Sequence, residues 1–287
     1  MEKATSIYTG ATSTFDDLLV QYGEIQGDIL TNFVYQSLVN REYVDEGSPI
    51  YGGTIRVRRM AMATSQDYGT ARTALAGNSL RNYGVDVQID TGKEIAEELS
   101  LKDKELYMEK GGIALLESRR SSYANTMGIT LETAYFTELQ NTAASAGLVD
   151  VSAISNVEDK LLALIRTLEA VENANVNGVP REMMVLTLAP EWYDELEAYM
   201  VTLSNPQSNS TRLLHGVEVI NARRQKFDAI VQAKGSIAQP LVMSEEFEVG
   251  KWQGSADYYA YLPYYFGTKA VMSDLVFACA LDEDISA

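Results

Sequence analysis

Two short stretches of the chain alternate apolar and polar residues: Thr54-Ile55-Arg56-Val57-Arg58 and Val85-Asp86-Val87-Gln88-Ile89-Asp90. A period of two marks a half-buried strand. Between them, from Ala61 to Gly84, lies a stretch rich in Gly, Ala, Ser, Thr and Asn. Two strands with so long and weakly hydrophobic a connection predict a hairpin that projects from the body. Further along, the period becomes helical. Leu116, Tyr123, Met127, Leu131, Tyr135 and Leu139 fall at spacings of seven and four, one stripe on a long helix over about 106–142. Gly111-Gly112 delays or kinks its start, and the stretch from Ala143 to Gly147 ends it.

Shorter elements flank these. Ile25, Ile29, Phe33 and Leu38 predict a helix over roughly 24–39, broken by Gly47-Ser48-Pro49. Asn156 caps a second helix, with Asp159 as its capping partner and Leu161, Leu164, Leu168 and Val171 as its buried face. Residues 183–188 form a short apolar run of strand length. Pro190 then opens a third helix with Trp192, Leu196 and Tyr199 on one face. Strand-like runs follow at 217–220, 229–231, 241–243 and 275–278. The order is arm, hairpin, helices, then a mixed region, so the expected fold class is α+β.

Charge changes the picture at the hairpin. The chain carries −17 overall. Residues 54–84 nevertheless hold Arg56, Arg58, Arg59, Arg72 and Arg81 against one acid, Asp67, a net +4. Residues 86–109 net −5, with Glu94, Glu97 and Glu98 among their acids. A basic arm on an acidic protein fits another copy of the same protein, the arginines acting as forks on carboxylates. The other reading is a solvated loop with scattered arginines. An acidic chain weighs against nucleic-acid binding, which needs a basic face.

Chemistry is sparse. His215 is the single histidine and Cys279 the single cysteine. That excludes two-histidine metal motifs, cysteine clusters and an intrachain disulfide. Glu97-Glu98, Glu245-Glu246 and Asp282-Glu283-Asp284 are adjacent acids, not a pair placed across a pocket. Gly52-Gly53 and Gly111-Gly112 lack the sequel of a phosphate loop. No catalytic residue, metal or cofactor is expected. Tyr258, Tyr259, Tyr261, Tyr264 and Tyr265 crowd together and read as an interface. No apolar run is long enough to span a membrane. The opening Met1-Glu2-Lys3-Ala4-Thr5-Ser6 lacks signal-peptide character, so the chain is expected to stay where it is made.

Four segments now stand in a telling order. They are the 54–57 strand with its Gly/Ala-rich loop and the 85–90 return strand, and the long helix. They continue with Val179-Pro180-Arg181 leading through the apolar run into Pro190-Glu191-Trp192-Tyr193-Asp194-Glu195-Leu196, and end with Tyr264-Tyr265-Phe266-Gly267-Thr268-Lys269-Ala270-Val271. This order resembles the major capsid proteins of tailed bacteriophages, with the Hong Kong 97 type fold. The resemblance implies an N-terminal arm (1–48), an extended loop (49–92), a peripheral domain with the spine helix (93–178) and an axial domain (179–287) whose closing strands return to the peripheral domain. It implies pentamers and hexamers tiling an icosahedral phage head around double-stranded DNA, without sequence-specific binding. A separate scaffolding protein and a portal would take part, the virion would be the location, and assembly would take place in the host cytoplasm. Some members weld neighbours through an extended-loop lysine. No lysine lies between residues 4 and 92 here, so that crosslink is not expected. An encapsulin-like compartment shares the fold and stays open as an alternative. A carboxylate hydrolase using the Tyr-rich region at 257–266 is a more distant one.

Overall fold

The computed structural model describes residues 21, 23–29, 33–45, 50–60, 82–99, 113–173, 176–202, 213–243, 248–251 and 258–281. Helical residues 23–29 come first, with Ile25 and Ile29 fully buried. The helix does not run on to residue 39 as the spacing predicts. Phe33 is extended, at φ −118° and ψ 112°, and a separate 3-10 turn follows at Val34–Ser37. The break lets the Phe33 ring lie directly on Gly128 and brings Tyr35 within 5.5 Å of Tyr135, centroid to centroid. Tertiary packing of two aromatics outweighs local periodicity here.

Strands β1 (Tyr43–Asp45), β2 (Thr54–Met60) and β3 (Asn82–Gln88) form an antiparallel sheet in that order. Ile55, Val57 and Arg59 point inward along β2, while Thr54, Arg56 and Arg58 are exposed. The expected hairpin is present, and both strands run further toward their connection than the alternation predicts. That connection, with Arg72 and Arg81, lies outside the described residues. After Ile89-Asp90 comes β4 (Thr91–Leu99), a nine-residue strand.

The long helix α1 (Ile113–Ala146) spans 34 residues. Tyr123, Met127, Leu131, Tyr135 and Leu139 are all buried, so the predicted stripe faces the core. Expected helical residues 106–112 lie outside the described residues. Gly147, at φ 88°, stops the helix four residues beyond the expected end. Helix α2 (Val157–Glu169) is capped by Asn156, whose Oδ1 accepts from the Glu158 amide at 3.2 Å. Replacing Asn156 with Ala should cost about 1 kcal/mol, read as a lower unfolding midpoint with unchanged helix content in the folded state.

The rest of the chain builds a five-stranded sheet and its attachments. Strand β5 (Met184–Leu188) leads into α3 (Pro190–Thr202). Strands β6 (Leu213–Leu214) and β7 (Val217–Asn221) are joined by a tight turn at His215-Gly216, both at positive φ. Then come β8 (Ala229–Ala233), β9 (Ile237–Ala238), β10 (Leu241–Met243), β11 (Glu248–Lys251), β12 (Tyr258–Phe266), β13 (Lys269–Ala270) and β14 (Val276–Cys279). The main sheet has the order β14-β8-β5-β7-β6, with β5 and β7 parallel. One of its faces, with Val185, Ile230 and Val276, shares a core with α1. The other, with Leu186, Val219 and Val231, shares a core with Leu161, Leu164, Ile165 and Leu168 of α2. A second sheet places β12 between β4 on one side and β10 and β11 on the other.

Candidate subunit-contact surface

The hairpin meets the body through its inward face. Val57 and Val87 pack with Ala238 and Val271 in a small core of their own. Arg59 continues that face. Its Nη2 lies 2.6 Å from Asp274 Oδ2 and its Nη1 donates to the Val271 carbonyl at 3.4 Å. Asn173 donates to the same carboxylate. Burial pushes the Asp274 carboxyl upward, but the Arg59 hydrogen bond and charge, aided by Asn173, hold it below the ordinary range. Lys269 Nζ donates to the Asp86 carbonyl at 2.8 Å. Close approach adds a further constraint. A Cβ on Gly267 would fall on the Gln88 carbonyl oxygen and lie 2.8 Å from the Gln88 carbonyl carbon. The segment 267–274 therefore clamps the hairpin root.

The depressed carboxyl of Asp274 has a pH consequence. A group whose pKa is lowered on folding stabilises the fold above its unfolded value, about 3.9 for aspartate, and that stability is lost as pH falls through the folded value. Amide exchange in β2 should therefore speed up as pH drops below about 4, after correction for intrinsic rates. An Asp274→Asn chain should show a flatter profile. Equal slopes would contradict the clamp.

The outward face of the hairpin differs. Arg56 forms a bidentate pair with Asp86, at 2.7 and 3.1 Å, directly across β2 and β3. The Arg56 hydrogen bond holds the Asp86 carboxyl below its ordinary range. Arg58 faces Gly84 instead, which offers no carboxylate. It is exposed and has no ion-pair partner among the described residues.

The acidic residues separate in the same way. Ile95 packs on the core with α1, and Glu97 accepts from Tyr123 at 2.9 Å and from both Nε and Nη2 of Arg119. Odd positions of β4 thus turn toward α1. Glu94 and Glu98 lie on the opposite face and are exposed. Reading the residues alone placed all eight charged positions in one class. The structure engages Arg56, Arg59 and Glu97 within the chain and leaves Arg58, Glu94 and Glu98 presented to solvent. The signal that sets Arg59 apart is period two continued from Ile55 and Val57, which puts it inside. Asp274 and Arg119 gave no local signal.

The residues weighed for chemistry are accounted for by structure. His215 occupies the β6–β7 turn at φ 50°, its Nε2 2.9 Å from Glu158 Oε1 without forming a directed hydrogen bond. Cys279 is buried and its thiol is pushed up to about 12, chiefly by burial. A cleft of about 800 Å³ opens between α1, α3 and β7. Its two carboxylates, Glu132 and Glu218, are ion-paired to Arg224 and Lys234, each at 2.8 Å. No helix among the described residues is long and apolar enough to cross a membrane.

No protein-family model and no curated protein sequence matches the chain. Solved structures do. A chain from Mycobacterium phage Che8 aligns with TM-score 0.56 at 17% identity, covering 86% of this chain and 90% of its own. The capsid of cyanophage P-SCSP1u aligns with TM-score 0.58 at 12% identity, covering 86% and 88%. The capsid of Ralstonia phage GP4 aligns with TM-score 0.53 at 10% identity, covering 88% and 93%. Identities this low speak to the backbone and not to particular side chains. The chain has the α+β fold of tailed-phage major capsid proteins, the Hong Kong 97 type.

Proposed function

We propose that this chain is the major capsid protein of a tailed phage, a shell subunit that assembles into pentamers and hexamers of an icosahedral head. One observation carries the reading: the likeness to phage capsid structures runs along 86–88% of this chain and 88–93% of theirs. A shell works by many modest contacts summed over closure, and weak single contacts assemble reversibly and correct errors.

The proposal divides the chain into an arm (1–48), an extended loop (49–92), a peripheral domain (93–178) and an axial domain (179–287). Its partners are other copies, with a separate scaffolding protein and a portal during assembly in the host cytoplasm, and enclosed double-stranded DNA. The acidic balance suits a wall that does not bind the packaged polymer. The role is structural and not catalytic. The Tyr-rich stretch supports this, because β12 is a central strand with Ala260, Leu262, Tyr264 and Phe266 buried. The ion-paired carboxylates of the cleft also disfavour a hydrolase.

Sedimentation velocity of the purified 31.6 kDa chain tests the reading. Boundaries at five or six times the chain mass, or at particle mass, are expected. A monomer at every concentration would contradict it.

A further inference from the structure

One end of the main sheet gathers cations on an otherwise acidic chain. Cys279 pairs with Ala229, Ala229 with Leu188, and Leu188 with Asn221. The end of β14, the start of β8 and the ends of β5 and β7 therefore lie side by side. The connection 222–228 joins β7 to β8 across that end, with Arg223, Arg224 and Lys226 all exposed. Three bases and no acid lie between Ala222 and Phe227. The loop is held firmly beneath them. The Ala222 amide donates to the Leu188 carbonyl at 2.8 Å. Buried Gln225 donates through Nε2 to the Thr187 and Phe227 carbonyls at 3.1 and 2.7 Å. Arg224 is paired with Glu132. Arg223 and Lys226 are exposed and have no ion pair among the described residues. The described residues end at the same place. The Leu281 amide donates to Asp228 Oδ2 at 2.7 Å, and the Leu281 carbonyl accepts from Lys160 Nζ at 2.8 Å. Both polar groups of that backbone are thus fixed, one of them by the last residue of the basic loop. Beyond Leu281 the sequence continues with three acids in succession, Asp282-Glu283-Asp284.

We propose that residues 282–284 fold back over the 222–228 loop of their own chain and pair with Lys226 and Arg223, a strap that covers the cations of the loop. Charge, reach and tether select this occupant. Three acids meet three bases, two of which lack a partner among the described residues. Neighbouring strands are about 4.8 Å apart, so Arg223, just past the end of β7, stands about 14 Å across the sheet from the end of β14, and Lys226 stands nearer. Three extended residues span about 10 Å, and the long basic side chains cover the rest. The root of the strap is fixed at the base of the loop, which puts its acids at an effective concentration on the order of millimolar. A free partner would have to be that concentrated to compete. The covered end then carries the same sign as the rest of the surface, which holds copies apart there. The strap is independent of whether copies build a shell.

Disulfide trapping in the full chain tests this. Lys226→Cys with Asp284→Cys should link within one chain on mild oxidation. The product is read as a joined 226–284 peptide by mass spectrometry, in a gel band of monomer mass, while the buried Cys279 stays unreacted. Adding Arg223→Glu, or raising salt to about 1 M, should slow the linking about tenfold. A second readout needs no new cysteine. Asp282→Asn, Glu283→Gln and Asp284→Asn together should speed acetylation of Lys226 about threefold. Lys234, at the opposite end of β8, should react as before. No linked peptide, linked chains of dimer mass only, linking indifferent to both salt and Arg223→Glu, or unchanged acetylation of Lys226 overturns the strap.

Discussion

Arg59→Glu should lower the folding stability by about 3 kcal/mol, the low end of the cost of breaking a buried ion pair. The guanidinium it removes is 8% exposed and holds Asp274 at 2.6 Å. The new glutamate would put a second acid beside that carboxylate, whose Oδ1 has no hydrogen-bond partner among the described residues. Asp274 keeps 31% of its side chain exposed, which limits the loss. The damage should be local first, with β2 and β3 losing amide protection before α1 does. Arg59→Met combined with Asp274→Leu should recover most of the stability, because it removes both charges together. Urea unfolding with hydrogen exchange measures this. Arg59→Glu at parental stability would contradict the clamp.

Gly267→Ala should cost about 2–3 kcal/mol, although it adds only a methyl group. The added Cβ meets backbone, the Gln88 carbonyl and the Ile89 Cα at 3.3 Å, and backbone cannot swing aside as a side chain can. Either the β12–β13 turn or the root of the hairpin must shift. Gly23→Ala makes the control. It sits in helical residues with nothing within 4 Å of its Cβ, so the same change there should be neutral or stabilising. A clear drop in thermal midpoint for Gly267→Ala, with an unchanged or raised midpoint for Gly23→Ala, is the expected result. Equal small shifts would mean that Gly267 does not fix the hairpin.

The parts of this fold that were legible share one property: their signal is local. The α1 stripe, the β2 and β3 alternation, the Asn156 cap and the Pro190 start are each written within a few residues. Strand β4 was not legible. Thr91-Gly92-Lys93-Glu94-Ile95-Ala96-Glu97-Glu98-Leu99 has little strand propensity, and it becomes a strand because it pairs residue for residue with β12. Strand β12 hid behind its tyrosines and Pro263, a residue that argues against a central strand. Pro263 is tolerated because β10 pairs only with residues 264–266 and β11 only with 258–261. The missing amide therefore falls in the gap between them. The candidate contact residues were legible as charges but not as partners. Whether an arginine meets an acid within the chain depends on register, and Arg56 opposite Asp86 against Arg58 opposite Gly84 is a difference of two residues.

Cryo-electron microscopy of particles assembled from the purified chain decides whether this protein builds a shell. Closed icosahedral shells with five-fold and six-fold capsomers, each subunit tracing this fold, are the expected result. Discrete small oligomers that never close, at any protein or salt concentration and with or without a scaffolding partner, would contradict it.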